Sequence, residues 1–181
     1  PPSVPFTAMY WQTTRHRIAL QLPLVMGIVN ATPDSFSDGG LHADAPSAQA
    51  HCDRLVTEGA QILDIGGEST RPGARQPTLQ EELARVLPVL RHAVTLDVPV
   101  SVDTSRPAVM QAALDLGVDI VNDVRALREP GALAVVAAHP ACGVCLMHMQ
   151  GEPGVMQQAP HYDGEVVDAV NSWLRQRLAD V

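Results

Sequence analysis

Five short apolar runs, each closed by a polar loop and followed by a stretch of helical character, limit what this chain can fold into. Leu24–Asn30, Ile62–Ile65, Pro99–Asp103, Asp119–Val124 and Gly143–His148 are rich in Val, Ile and Leu, with little alternation between faces. Runs of that kind are strands buried on both sides. Helices are expected at about 46–58, 78–93, 106–116, 130–138 and 162–178. Thr78-Leu-Gln-Glu-Glu opens the second with a capping-box pattern, and Pro107 sits early in the third, where a helix tolerates it. Strand–helix alternation builds a parallel sheet covered by helices.

Two arrangements satisfy that pattern, an open doubly wound sheet and a (β/α)8 barrel of the TIM type. Asn30, Asp64, Asp103, Asn122 and His148 each fall at or near the C-terminal end of a strand. Polar groups at the same end of five successive strands point to a barrel with one axial site. An open sheet would gather them at a single switch point. A barrel takes about 250 residues and the chain has 181, so either the sequence is a fragment, about the first five β/α units of a barrel, or the sheet is open. Residues 1–17 read as a Pro-rich lead, and 18–181 as part of one incomplete barrel domain.

Composition removes other classes. The net charge is −8 and all twelve basic residues are Arg, with no Lys, which is the wrong balance for nonspecific nucleic-acid binding. No apolar run approaches the roughly 20 residues of a membrane helix, and no signal-peptide pattern precedes the first strand. Three cysteines make no disulfide framework, so a cytoplasmic protein without nucleic-acid or membrane partners is expected. Cys142-Gly-Val-Cys145 has C-x-x-C spacing, yet without a second pair it reads as structural thiols. His148 reads as a strand-end histidine, and the stripe Val166, Val167, Val170, Trp173 and Leu174 reads as a packing face.

The stretch "ILDIGGESTRPG" places Asp64 in an apolar strand, where an unpaired carboxylate is costly, so a partner or a ligand must compensate it. Asp64, Asp103 and Asn122 offer converging acceptors and one amide donor, a set suited to a flat heterocycle carrying N–H groups. Ser69, Thr70 and Arg71, set among glycines, suit phosphate oxygens. The loop Thr32–Gly40 adds carboxylates that suit a hard cation together with Asn30, and carries Phe36 outside the core as an aromatic contact.

Four segments, "MGIVNATPDSFSDGG", "GAQILDIGGESTRPGA", "SVDTSRPAVMQAALDLGVDIVNDV" and "LMHMQGEPGVMQ", resemble in order the successive motifs of the dihydropteroate synthase family, the folate-pathway enzymes inhibited by sulfonamides. The resemblance implies a (β/α)8 barrel that joins 7,8-dihydropterin-6-ylmethyl diphosphate to p-aminobenzoate and releases pyrophosphate. It implies that Asp64, Asp103, Asn122 and Met147 bind the pterin and that Thr70 and Arg71 bind the diphosphate. Phe36, Ser69 and Pro72 would shape the p-aminobenzoate pocket, and Asn30 would reach a Mg2+ ion. A homodimer is implied for the full-length protein, and no protein nucleophile is needed.

The same family pattern includes a further Asp, a Lys and an Arg-x-His that this sequence lacks, so the chain is expected to be an N-terminal portion, inactive by itself. Two other readings are a pterin-binding methyltransferase domain of the corrinoid-dependent type and a non-catalytic truncated paralogue. The Thr70-Arg71 loop counts against the first, which has no use for diphosphate.

Overall fold

The computed structural model of the protein describes residues 9–32, 44–68, 75–156 and 159–181. Its strands are β1 (Tyr10–Gln12), β2 (Arg17–Ala19), β3 (Met26–Asn30), β4 (Ile62–Gly66), β5 (Val100–Asp103), β6 (Ile120–Asp123) and β7 (Gly143–Leu146). Its helices are α1 (Asp44–Thr57), α2 (Leu79–Ala93), α3 (Pro107–Asp115), α4 (Ala132–Ala137) and α5 (Val166–Asp180). The expected elements all form, within a few residues of their expected ends. The strand Gly143–His148 is the main shortening: β7 stops at Leu146, which leaves Met147 and His148 beyond it.

β3 to β7 make one sheet in sequential order, β3-β4-β5-β6-β7, and every pairing is parallel. Sequential order decides between the two expected arrangements. A doubly wound sheet reverses its strand order at a switch point, and this sheet does not; its winding is that of a (β/α)8 barrel, with five units present.

The register explains the sequence pattern. One face of the sheet carries Val29, Leu63, Ile65, Val100, Val102 and Val121, all buried under the helices. Against them α2 packs Val86, Val89, Leu90 and Ala93, and each such Val or Leu contributes about 1.5–3 kcal/mol on burial. Thr78 caps α2 by accepting from Glu81 N at 3.2 Å, while Glu81 accepts from Thr78 N at 2.6 Å, so the capping box forms as expected.

The lower end of the opposite face is closed by the hairpin β1–β2. Ile18 is buried against Ile62 and Ile120, with Trp11, Leu24 and Met26 around them. The hairpin pairs Tyr10 with Ala19 and Trp11 with Ile18, residues on either side of position 17. Its polar anchor is the fully buried Asp119. This carboxylate accepts from Thr13 Oγ1 at 3.2 Å, Arg15 N at 2.8 Å, Arg15 Nη2 at 2.6 Å and Val100 N at 3.0 Å.

The stripe on α5 packs in part, with Val170, Trp173 and Leu174 half-buried. Val166 and Val167 are exposed and no residue of the helix is fully buried. The helix is also held by Arg177, which donates to the carbonyls of Ala126 at 2.5 Å and Leu127 at 2.7 Å. Among the described residues no helix is long and apolar enough to cross a membrane.

Candidate functional site

In-register residues of a parallel sheet project to the same side, and successive residues alternate. The face turned away from the helices therefore carries two rows. The deeper row is Ile28, Asp64, Ser101, Ile120 and Gly143; the row above it is Asn30, Gly66, Asp103, Asn122 and Cys145. Four of the five polar strand-end residues singled out in the sequence, Asn30, Asp64, Asp103 and Asn122, thus converge on one surface of the sheet. Asp64 lies one row deeper than Asp103 and Asn122.

Asp64 is only 4% exposed. Its Oδ2 accepts from Asn122 Nδ2 at 3.1 Å, whereas Oδ1 is buried without a hydrogen-bond partner. Ser101 Oγ is likewise buried and unpartnered; it is near enough to favour the ionised carboxylate but is not aligned with it. Burial pushes the Asp64 carboxyl up from its ordinary range, against the opposing influence of Ser101 and Asn122. Asp103 is half-buried and pushed up to about 7, by burial first and then by the charges of Asp64, Asp123, Glu68 and Glu82. Two carboxylates on adjacent strands that both resist ionisation are matched by a ligand offering N–H donors, which would satisfy the free oxygens and restore the charged form.

Gly66 makes room for this arrangement. A Cβ at that position would lie 3.3 Å from Asp103 Cβ and 3.4 Å from its Oδ2, so a side chain there would crowd the carboxylate. Ser101, Gly66 and Cys145 were not marked as site residues by sequence reasoning. Period two would have found them, because each stands in a row that contains Asp64 or Asp103. Cys145 is exposed on this face rather than buried in the strand, and its thiol is pushed up by burial and by the Asp64 and Asp103 charges.

Met147 follows β7 by one residue and is partly buried. His148 stacks edge-on against Trp173, with ring centroids 5.0 Å apart, and lies 6.0 Å from Tyr162; it joins the β7 end to α5 and belongs to that contact. Phe36, Ser69, Thr70, Arg71 and Pro72 lie outside the described residues. At the described rim, the cations near the site already have partners. Arg106 lies 3.2 Å from Glu82 Oε2, and Arg125 lies 3.0 Å from Glu152 Oε2.

Asn30 is exposed at the end of β3, in the row of Asp103 and Asn122. Among the described residues no three His, Cys, Asp or Glu side chains converge on a metal position. The Asn30 carboxamide oxygen suits Mg2+, which keeps most of its waters and takes further ligands from a substrate's phosphates.

A family model described as "Pterin binding enzyme" matches residues 26–181. Dihydropteroate synthase of Neisseria meningitidis serogroup B is 51% identical over 172 residues, which cover 94% of this chain and 60% of that protein. The Escherichia coli K12 dihydropteroate synthase is 50% identical over 161 residues, covering 88% and 56%. Among solved structures, the Yersinia pestis dihydropteroate synthase with a sulfonamide drug complex superposes with a TM-score of 0.85 at 45% identity, over 94% of this chain and 62% of that one. The Xanthomonas albilineans dihydropteroate synthase with 4-aminobenzoic acid gives 0.85 at 49% identity, over 96% and 62%. The chain spans about 60% of the length of the curated relatives it matches.

Proposed function

The chain belongs to the pterin-binding enzyme family, and we propose that the protein carrying it is a dihydropteroate synthase. It would condense 7,8-dihydropterin-6-ylmethyl diphosphate with p-aminobenzoate, giving 7,8-dihydropteroate and pyrophosphate. The observation that carries this reading is the unpartnered, buried Asp64 Oδ1 beneath Asp103 and Asn122 on one concave face. A pterin ring presents amino and ring N–H donors along one edge and a ring-nitrogen acceptor beside them. The two carboxylates would take the donors, and the Asn122 amide would serve the acceptor. Met147 would line the ring.

The residues act by binding and orientation. Bringing the arylamine against the pterin methylene converts a bimolecular step into a positioned one, and the leaving diphosphate needs positive charge and hydrogen-bond donors as its own charge grows. Thr70 and Arg71 would supply donors from this chain, while Phe36, Ser69 and Pro72 would hold p-aminobenzoate, the group whose position sulfonamides would occupy. Mg2+, held in part by Asn30, would neutralise diphosphate charge. Loss of one such charge-stabilising donor typically lowers turnover about 10²–10³-fold, so the 181 residues alone, with no Lys, are expected to bind pterin without measurable turnover.

The test is pyrophosphate release from the pterin diphosphate and p-aminobenzoate by the protein that carries this chain. Release that requires both substrates and Mg2+, and that Asp103→Ala abolishes, supports the reading. A protein that binds pterin and releases no pyrophosphate under those conditions contradicts it.

A further inference from the structure

We propose that Glu82, on α2 and outside the ligand-facing surface, is a positioning residue: through Thr104 and Arg106 it fixes the turn after Asp103, and thereby the aim of the Asp103 carboxylate. The inference rests on the reading of Asp103 as a pterin ligand.

Glu82 is fully buried. Thr104 Oγ1 donates to its Oε1 at 2.5 Å, and Arg106 Nε lies 3.2 Å from its Oε2. The Thr104 hydroxyl is itself oriented, because it accepts from Arg106 N at 3.2 Å. Thr104 N donates to Asn122 O at 3.1 Å. The residue directly after Asp103 is therefore held by its backbone to β6 and by its side chain to α2. The Arg106 guanidinium also donates to Pro77 O, at the start of α2.

The helix has little freedom to shift. A Cβ at Gly67 would lie 2.7 Å from Val86 Cγ1 and 3.2 Å from Glu82 Cγ, so α2 rests directly on the end of β4. The Glu82 carboxylate thus ties the segment after β5 to a helix that packs directly against the residue following β4.

Stability alone does not call for such a group. Replacing a buried ion pair by well-packed apolar residues is often neutral or stabilising, and Glu82 Oε2 lacks even an aligned hydrogen bond. Its location supplies the missing reason. A binding group must be held within roughly 0.5 Å of its productive position by the shell behind it, and behind Asp103 that shell is Thr104 and Glu82. Charge links them as well, since Glu82 is the last of the influences that push Asp103 up, after burial, Asp64, Asp123 and Glu68.

The experiment titrates 6-hydroxymethylpterin calorimetrically into the wild-type protein and into Glu82→Gln, Thr104→Val, Thr104→Ser, Asp103→Asn and the Glu82→Gln/Asp103→Asn double variant. All are measured well below their melting temperatures, where a purely structural residue leaves the affinity of the folded protein unchanged. Glu82→Gln and Thr104→Val should each weaken binding about 5- to 20-fold, with Thr104→Ser, which keeps the hydroxyl, within about twofold of wild type. The double variant should bind no more weakly than Asp103→Asn, because the two residues act through one contact. Wild-type affinity in both Glu82→Gln and Thr104→Val, or additive losses in the double variant, would overturn the proposal. If Glu82→Gln does not fold, the Thr104 pair decides it alone. Wild-type affinity in Asp103→Asn would instead overturn the pterin-site reading, and this inference with it.

Discussion

Asn122 Nδ2 donates to Asp64 Oδ2 at 3.1 Å, joining β6 to β4 over the top of β5. Strands two apart are separated by about 9–10 Å in a flat sheet, so short side chains meet this way only where the sheet curls inward. The bond is a barrel feature and a site feature together. It leaves one Asp64 oxygen held and the other free for a ligand.

That free oxygen implies a trade between stability and binding. The Asp64 carboxyl is raised by burial, so its contribution to stability is fully present below the unfolded value of 3.8 and is lost as pH rises through the folded value. At neutral pH it opposes folding. Asp64→Asn should raise stability on the order of 1 kcal/mol, the usual scale when a strained functional group is relieved, while weakening pterin binding at least about tenfold. Thermal melts and a pterin titration on the same preparation check both. A variant that is less stable and still binds would count against the compensated-carboxylate argument.

Asp103 gives a pH window. Its folded value of about 7 stands above the ordinary 3.8, so the ligand-free protein should lose stability between about pH 4 and pH 8 on this residue's account. Asp103→Asn should flatten that slope, with a melting temperature a few degrees above wild type at pH 8 and close to it at pH 4, since roughly 2–4 °C accompanies each kcal/mol at this chain length. Parallel melting curves across the window would show that Asp103 ionises normally.

The floor of the sheet depends on Asp119. Asp119→Ala removes the acceptor for Thr13, Arg15 and Val100 N together, and breaking a buried pair of this kind costs about 3–5 kcal/mol. Loss of protection at the amides of residues 10–19 in hydrogen exchange should accompany the drop. Retained protection would mean that Ile18 and Trp11 hold the hairpin without the carboxylate.

The first two valines of α5 should matter little. Val166 and Val167 are exposed, and surface substitutions of this sort usually change stability by less than about 0.5 kcal/mol. Val167→Ser is expected within that limit, whereas Arg177→Ala should cost about 1–2 kcal/mol by leaving the Ala126 and Leu127 carbonyls without their donor. Urea unfolding of both variants checks the contrast, and the reverse order would extend the packing face to Val167.

Much of this was legible in the sequence for identifiable reasons. Apolar strands with polar ends, the Thr78–Glu81 capping box and the helix-opening Pro107 are local signals, and each appears where it was expected. The convergence of Asp64, Asp103 and Asn122 was legible because a parallel sheet brings strand ends together. The hairpin was hidden because β1 and β2 are three residues each and gain their stability from Asp119, more than a hundred residues away. The α5 stripe was right for Val170, Trp173 and Leu174 and not for the exposed Val166 and Val167, because helical periodicity records which residues share a side, not how far along the helix a neighbour lies against them. Glu82 has no local signature at all. In sequence it is one more acidic residue in the first turn of a helix, and only the fold places Thr104 and Arg106 upon it.

The most direct measurement of the central claim is a pterin titration of wild type and Asp103→Ala across pH. Donors on the pterin should favour the ionised carboxylate, so wild-type affinity should rise as pH increases through about 7 and level off above it. At pH 8 the variant should bind on the order of 2–4 kcal/mol more weakly, since it loses a charged acceptor and leaves ring N–H groups unpaired. Equal affinities for the two proteins, or wild-type binding that strengthens as pH falls, would contradict the account.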